Sequence, residues 1–558
     1  MHDIQTHISS IVKELFDTDT EIALTRTDEQ FGDYATNVAL QLGQKLGRKP
    51  REIAEKIVAK LNHESIAKFE VAGPGFINIT LSNAALKQLV ETTPSQSLAG
   101  KVIVAEYSDP NPFKVLHAGH LYTSIVGDAI ANLLENAGAV VHRVNFGGDV
   151  GMHVAKMLWA ITAKIGPDYA EKLHTLTDIE LNELVTESYV TGTSAYDEDP
   201  AAKEAIVSLN KQIYAFHSND DHESPLAQTY WKIRSFYYDV YFNQFYSSIG
   251  TKFEKFYPES ETAPLGLQTV KEQLEKGVYQ QSNGAVIFDG EPFGLHARVF
   301  INSEGLPTYE AKDVGLILKK YEDYHFDRSV VITGNDIIEY MKVVLKSVEQ
   351  FAPDLARATT HLTHGIVKLE GGQKMSSRKG NILKAEDIMT HTRLAITEFR
   401  KEVDSTMVEQ IMLSAIKYSF LKQRTGGDII YNPAESVSLE GNSGPYLQYA
   451  HVRAKSILRK ASDMDIVHDM KDFDAGERSL IRKLGEYAET IDNAANELTP
   501  HLVATYLYDL AQTFNRFYEN NKVINDPRQS VRLALVATYA ETLKNGLDLL
   551  GIHAPEQM

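Results

Sequence analysis

The stretch Ser108-Asp-Pro-Asn-Pro-Phe-Lys-Val-Leu-His-Ala-Gly-His120 stands where a strand hands over to a helix. Ahead of it, Val102-Ile-Val-Ala-Glu-Tyr107 is a short apolar run suited to a buried strand. Behind it, Leu121, Ile125, Ile130, Leu133 and Leu134 share one side of a helical pattern that Asn136-Ala-Gly-Ala139 ends. His117 and His120 therefore fall at a helix N-terminus. Free backbone N–H groups and the positive end of the helix dipole favour a phosphate there. Gly119 removes a side chain that would keep a flat ligand from the backbone. A further strand-like run, Val140-Val-His-Arg-Val-Asn-Phe146, completes the strand–helix–strand spacing of a parallel sheet. Two histidines three apart equally suit a surface or capping pair, so this pattern needs a second one beside it.

The second motif is Lys374-Met-Ser-Ser-Arg-Lys-Gly-Asn381, after the strand-like Gly365-Ile-Val-Lys-Leu-Glu370 and a turn at Gly371-Gly372. A glycine-flanked loop carrying Lys374, Arg378 and Lys379 is suited to close over a polyphosphate. A solvated basic loop is its plain alternative. Each motif follows an expected strand, which puts both at the carboxyl ends of one open sheet, where α/β folds bind ligands.

His117-Ala-Gly-His120 resembles the HIGH signature of class I aminoacyl-tRNA synthetases, and Lys374-Met-Ser-Ser-Arg378 resembles their KMSKS loop. The surroundings narrow the likeness to the arginyl-tRNA synthetase family. Asp109 to His120 is similar to its S-P-N-x-x-K-x-x-H-x-G-H pattern, with Asn111 and Lys114 in register. Phe31-Gly-Asp-Tyr-Ala-Thr-Asn37 and Ala72-Gly-Pro-Gly-Phe-Ile-Asn78 resemble its N-terminal domain. Ser443-Gly-Pro-Tyr-Leu-Gln-Tyr-Ala-His-Val-Arg-Ala454 resembles the opening of its anticodon-binding domain, and the ending Leu549 to Met558 is family-like. The likeness runs nearly end to end.

The organisation expected is a small α+β unit over residues 1–95 and a Rossmann-like α/β catalytic domain over 100–390. A polar insertion interrupts the latter at about 165–295, and an all-α domain occupies 391–558. The main sheet is expected to resume at Arg298-Val-Phe-Ile301 and Ser329-Val-Val-Ile-Thr333. The resemblance makes the first unit an additional tRNA-binding domain and the last an anticodon-binding domain.

Cysteine is absent, which excludes disulfides, thiolate zinc sites and cysteine nucleophiles and fits a reducing compartment. No stretch is long and apolar enough to span a bilayer, and the N-terminus lacks the marks of a targeting peptide. The expectation is a cytoplasmic protein with no membrane contact. The net charge of −19 argues against indiscriminate coating of nucleic acid. Local basic patches remain, at Lys45, Arg48, Lys49, Arg51, Lys56 and Lys60, and at Arg453, Lys455, Arg459 and Lys460. Solvated helix faces would look the same; the resemblance turns them toward tRNA.

The resemblance implies ligation of L-arginine to tRNA(Arg): ATP activates arginine to arginyl-adenylate, which is then transferred to the 3′-terminal adenosine. Such chemistry asks for alignment and neutralised phosphate charge. Lys114, His117, His120 and Lys374 are the catalytic candidates. Gly119, Gly334, Asp336, Met375, Ser376, Ser377 and Arg378 join them around ATP, with Gly334-Asn-Asp336 resembling the class I element that meets the ribose. Gly334–Asp336 would look the same as an ordinary strand-to-helix turn. Selecting arginine needs carboxylates, which can accept two hydrogen bonds from the guanidinium fork. Tyr309 and Asp313, one turn apart, match the family's Y-x-x-x-D pair; Glu106, Asp109, Asn111 and His120 complete the arginine-binding set. Asn37, Tyr446, Tyr449 and Arg453 are candidate tRNA contacts. ATP is expected with Mg2+ as a substrate, with no protein metal site, no tightly bound organic cofactor and a monomeric enzyme. Three departures from the family pattern bear on the amino-acid pocket: Asp109 for serine, Tyr122 for arginine, and Ile337 where some members carry glutamine. Three other readings share parts of the pattern. They are a class I synthetase for another amino acid, a small-molecule adenylyltransferase, and a catalytically silent RNA-binding paralogue.

Overall fold

A computed structural model describes residues 1–370, 383–399, 404–461 and 472–558. Its centre is a five-stranded, all-parallel sheet. The strands run across it as Thr359–His364, Arg328–Gly334, Val102–Glu106, Val140–Gly147 and Lys255–Pro258. The first strand in the chain is thus the middle one. The chain builds outward on one side of it and then on the other. That reversal opens a crevice at the carboxyl ends of Val102–Glu106 and Arg328–Gly334, which pair directly. The helix Ala118–Asn136 starts at this crevice, and Tyr122, Ile125, Ile130, Leu133 and Leu134 on it are buried.

Two expectations about the sheet need correction. Lys255–Pro258 lies inside the stretch read as insertion, yet it is an edge strand of the main sheet. Helices from Tyr169–His174 to Phe242–Ile249 precede it. Arg298–Ile301 belongs elsewhere, in a three-stranded antiparallel sheet with Ala285–Phe288 and Gln280–Ser282. The cause is local. Asn283 and Gly284 both have positive φ (49° and 81°), the two-residue hairpin turn that asparagine–glycine favours; it pairs Gln280–Ser282 with Ala285–Phe288, whose other edge Arg298–Ile301 joins.

The first domain packs helices His2–Phe16, Val38–Leu46 and Pro50–Lys60 with a four-stranded antiparallel sheet. Ala35 lies in the strand Tyr34–Thr36, ahead of the helix Val38–Leu46. After residue 385 the described chain is helical apart from Ile429–Tyr431, which pairs with Val367–Leu369. The first domain docks on the helical one through Asp33, which is fully buried. Its carboxylate receives Arg478 at 2.6 Å, Arg482 at 3.1 Å and the Leu81 backbone N–H at 2.7 Å. No helix among the described residues is long and apolar enough to cross a membrane.

Candidate active site

His117 is the N-cap of the helix Ala118–Asn136, and both signature histidines are used in capping. The Gly119 N–H donates to His117 Nδ1 at 3.1 Å, and the His117 N–H donates to His120 Nδ1 at 3.2 Å. The two rings stack with centroids 3.7 Å apart. The capping reading and the phosphate reading are therefore not rivals. Because each Nδ1 accepts, each neutral ring carries its proton on Nε2 and presents a donor there. Burial, helped by Lys114, holds His117 at about 4 and His120 well below its usual value, so neither ring is charged at neutral pH. Gly119 has a different use from the one expected. A Cβ there would come within 2.8 Å of the His117 ring, so the space it leaves is taken by the imidazole.

The loop ahead of the helix is held in unusual backbone. Ser108, Asp109 and Phe113 all have positive φ. Asp109 Oδ1 accepts from the Phe146 N–H at 2.8 Å and Asn111 Oδ1 from the Gly148 N–H at 2.8 Å, which fastens the loop to the end of Val140–Gly147. A Cβ on Gly148 would lie 2.4 Å from Asn111 Oδ1, so a side chain there would displace this amide. Lys114 projects beneath the inserted helices, its Nζ 4.8 Å from the Tyr189 ring centroid.

Lys374, Met375, Ser376, Ser377 and Arg378 lie outside the described residues. The chain on either side of them does not. Leu383 accepts from the Ala118 N–H at 2.8 Å, the Ala385 N–H donates to Leu116 at 3.0 Å, and Lys384 bridges His117. Upstream, the His364 ring bonds the Thr123 hydroxyl on the signature helix. The segment carrying the second motif thus leaves from and returns to the first. Asp336 sits at the same place. It raises the proton affinity of His117 and His364, and its Oδ1 folds back to 2.6 Å from where a Cβ on Gly334 would stand.

The candidate amino-acid pocket, as the sequence expectation places it, lies on the helix Tyr309–Tyr324. Asp313 and Tyr309 share one face; Tyr309 is 53% exposed and does not bond Asp313. Burial pushes the Asp313 carboxyl up to about 8. The Glu106 and Glu259 carboxylates add to the rise, while a hydrogen bond from Tyr340 and the Lys320 charge oppose it. Asp109 is also raised well above the usual carboxylate range, by burial first and Glu106 second. Glu106 is itself buried and bonded to Lys320, which also donates to Ser329 Oγ at 3.0 Å. Glu106 is therefore spent on an internal cation, whereas Asp109 and Asp313 have no ion pair among the described residues.

Several residues around the pocket carry no sequence signal. Lys312 and Glu259 form a buried pair beside Tyr309 and Tyr214. Asp149 is fully buried and receives Arg234 and Ser260. His153, pulled well down by burial, bonds the Gly148 carbonyl at 2.7 Å. Only the Gly147-Gly148-Asp149 turn after a strand could have drawn attention to them. Tyr122, at the arginine position, is core: its ring contacts His364 at 4.5 Å and Phe420 at 5.3 Å.

Residues 81–432 match the family of tRNA synthetases class I (R), catalytic domain. The chain belongs to the class I arginyl-tRNA synthetases. Residues 2–81 match the arginyl tRNA synthetase N terminal domain and residues 447–558 the DALR anticodon binding domain. The arginine–tRNA ligase of Flavobacterium psychrophilum is 30% identical, covering 99% of this chain and 98% of its own length. That of Parabacteroides distasonis is 27% identical over 98% of each. Among solved structures, the Thermus thermophilus arginyl-tRNA synthetase superposes with a TM-score of 0.81 at 25% identity over all of both chains. The Plasmodium falciparum arginyl-tRNA synthetase shares the fold, with a TM-score of 0.80 at 23% identity over 100% of this chain and 99% of that one.

In this synthetase the candidate tRNA contacts divide. Asn37 stands at the N-cap position of Val38–Leu46 without a side-chain capping bond, and it lines a cavity of about 390 Å³ with Phe31, Phe76 and Asn78; Phe31 and Phe76 are exposed. Tyr446 is half-buried, its hydroxyl accepting from Asn515 at 2.8 Å, and Arg453 stacks 4.6 Å over Tyr518. Tyr449 is exposed. His451 is buried and bonds the Pro555 carbonyl at 2.9 Å. Lys455 pairs with Glu556 at 3.1 Å and Arg459 with the Glu556 carbonyl at 2.8 Å, so half of that basic patch holds down the C-terminal tail.

Proposed function

We propose that this chain is an arginine–tRNA ligase whose crevice activates L-arginine with ATP and whose outer domains hold tRNA(Arg). The arginine carboxylate attacks the α-phosphate of ATP, forming arginyl-adenylate and releasing pyrophosphate. The terminal adenosine of the tRNA then takes the arginyl group through its 2′-hydroxyl and releases AMP. Mg2+ arrives on the ATP phosphates as part of that substrate. The chain's own work is alignment and charge neutralisation. The Nε2 donors of His117 and His120 meet phosphate oxygens without bringing charge. Lys114 and, from the second motif, Lys374 with Arg378 balance the charge that develops on the leaving pyrophosphate. Gly334 and Asp336 take the ribose. Asp313, with Tyr309, takes the guanidinium; Asp109, Asn111 and the Glu106 side of the pocket take the α-amino end. No protein nucleophile is required.

The observation that carries this reading is the tie between residues 383–385 and 116–118, in a chain whose buried Asp313 carboxylate has a phenol and no ion pair among the described residues. The exposed Tyr449, with Arg453 and Tyr446, is assigned to anticodon bases, which single-stranded loops offer for stacking. Asn37 is assigned to the body of the tRNA. The reading also takes the enzyme to be cytoplasmic and monomeric, which light scattering tests for the second point. The deciding assay is ATP–pyrophosphate exchange with each amino acid, with and without tRNA. Arginine-dependent exchange in the presence of tRNA is expected, and exchange driven by another amino acid alone overturns it.

A further inference from the structure

Tyr340 stands in the first turn of the helix Ile338–Glu349, directly after the Gly334–Asp336 element. Its hydroxyl donates to Oδ2 of Asp313, across 27 residues of chain. No hydrogen bond reaches Oδ1 of the same carboxylate among the described residues. The Tyr340 ring is itself held, with the Arg298 guanidinium 5.3 Å from its centroid; Arg298 bonds Glu310 at 3.2 Å on the pocket helix. Ile337, at the position where the resemblance offers glutamine, brings no polar group. Tyr340 is therefore the residue of this segment that reaches the guanidinium anchor.

We propose that Tyr340 is a specificity-determining positioning residue: its hydroxyl fixes the Asp313 carboxylate so that Oδ1 is presented to the substrate guanidinium. The inference rests on the assignment of Asp313 to that guanidinium. Two parallel N–H···O contacts demand that a carboxylate plane be set in advance. A lysine or arginine in place of Tyr340 would set it too, but would neutralise the charge that the substrate must meet. A phenol sets the plane and leaves the charge in place. The remaining charged groups around Asp313 are Glu106 on the central strand, Asp109 on the loop, Glu259 on the neighbouring helix and Lys320 on its own helix. None of them bonds Asp313. Tyr340 thus alone among the described residues holds its orientation.

The test is Tyr340→Phe in tRNA-dependent ATP–pyrophosphate exchange. KM for arginine is expected to rise about tenfold, the scale of one hydrogen bond to a charged group, with kcat and KM for ATP little changed. The acid limb of kcat/KM for arginine should move to higher pH, because the lost hydrogen bond stabilised the ionised carboxylate; a purely structural role would leave that limb in place. Added to Asp313→Asn, the same substitution should cost nothing more. An unchanged arginine KM and pH profile in Tyr340→Phe, or a further full loss in the Asp313→Asn background, overturns the proposal. Normal arginine kinetics in Asp313→Ala would instead overturn the guanidinium assignment on which it rests.

Discussion

Asp33 and Asp313 are both enclosed carboxylates, and they differ in who supplies the guanidinium. Asp33, at the junction of the first and last domains, is met by Arg478 and Arg482 of the same chain. Glu477 nearby is likewise buried between Arg528 and Arg532. Among the described residues Asp313 is met only by a neutral phenol, and its carboxyl is pushed up to about 8. Taking a carboxylate out of water without a cation is unfavourable. The fold meets this with arginines at the junction and with a raised proton affinity in the pocket. An unanswered carboxylate beside a nucleotide crevice is the mark of a site that waits for a cation from outside.

The comparison is most exposed to breakage at Asp313. Asp313→Ala should lower kcat/KM for arginine by about a thousandfold, the scale of deleting one partner of a buried charge pair, with KM for ATP nearly unchanged. Equal damage to both substrates would mean that the side chain supports the fold in general. Asp33→Ala should do the reverse. It takes the shared carboxylate from two arginines at a domain junction, leaving Arg482 only its longer ion pair with Glu486 at 3.6 Å, and should destabilise the protein by about 3 kcal/mol in urea unfolding, while arginine KM stays the same. A changed arginine KM there would erase the contrast between the two regions.

The two regions were also unequally legible. The crevice could be read because its histidines are local: the strand Val102–Glu106, the loop and the helix follow one another within 35 residues of chain. The domain order could be read from the change in periodicity toward the C-terminal helices. The pairs that tune the pocket and lock the domains could not. Tyr340 bonds across 27 residues, Lys320 reaches Glu106 across 214, and Arg478 reaches Asp33 across 445. No spacing rule spans such separations. Arg298–Ile301 shows the same limit: an apolar run tells that it is a strand and not which strand it joins. Lys455 and Arg459 read as a basic face because the tail they bind lies about 100 residues on.

Smaller effects sharpen the picture at the RNA-binding end. Tyr449→Ala should raise KM for tRNA by about tenfold, in keeping with loss of one stacking platform, with no effect on arginine KM. Lys455→Ala should change tRNA KM by less than about twofold, because an exposed ion pair contributes little and this one faces the tail. A larger effect of Lys455 than of Tyr449, in the same aminoacylation assay, would return that basic patch to the RNA.

A carboxylate that receives the substrate's guanidinium from a protonated state must give up a proton on binding. Asp313 is held at about 8 in the empty pocket. It is therefore largely protonated at pH 7 and must ionise to pair with arginine. Binding should release close to one proton per arginine at pH 7, and affinity should rise by about tenfold between pH 7 and 9 as that release vanishes. Calorimetric titration of arginine into the enzyme, repeated in buffers of different ionisation enthalpy, measures this. Proton release that disappears in Asp313→Asn is the predicted result; arginine binding with no proton exchange at pH 7, or with the same release in Asp313→Asn, would contradict it.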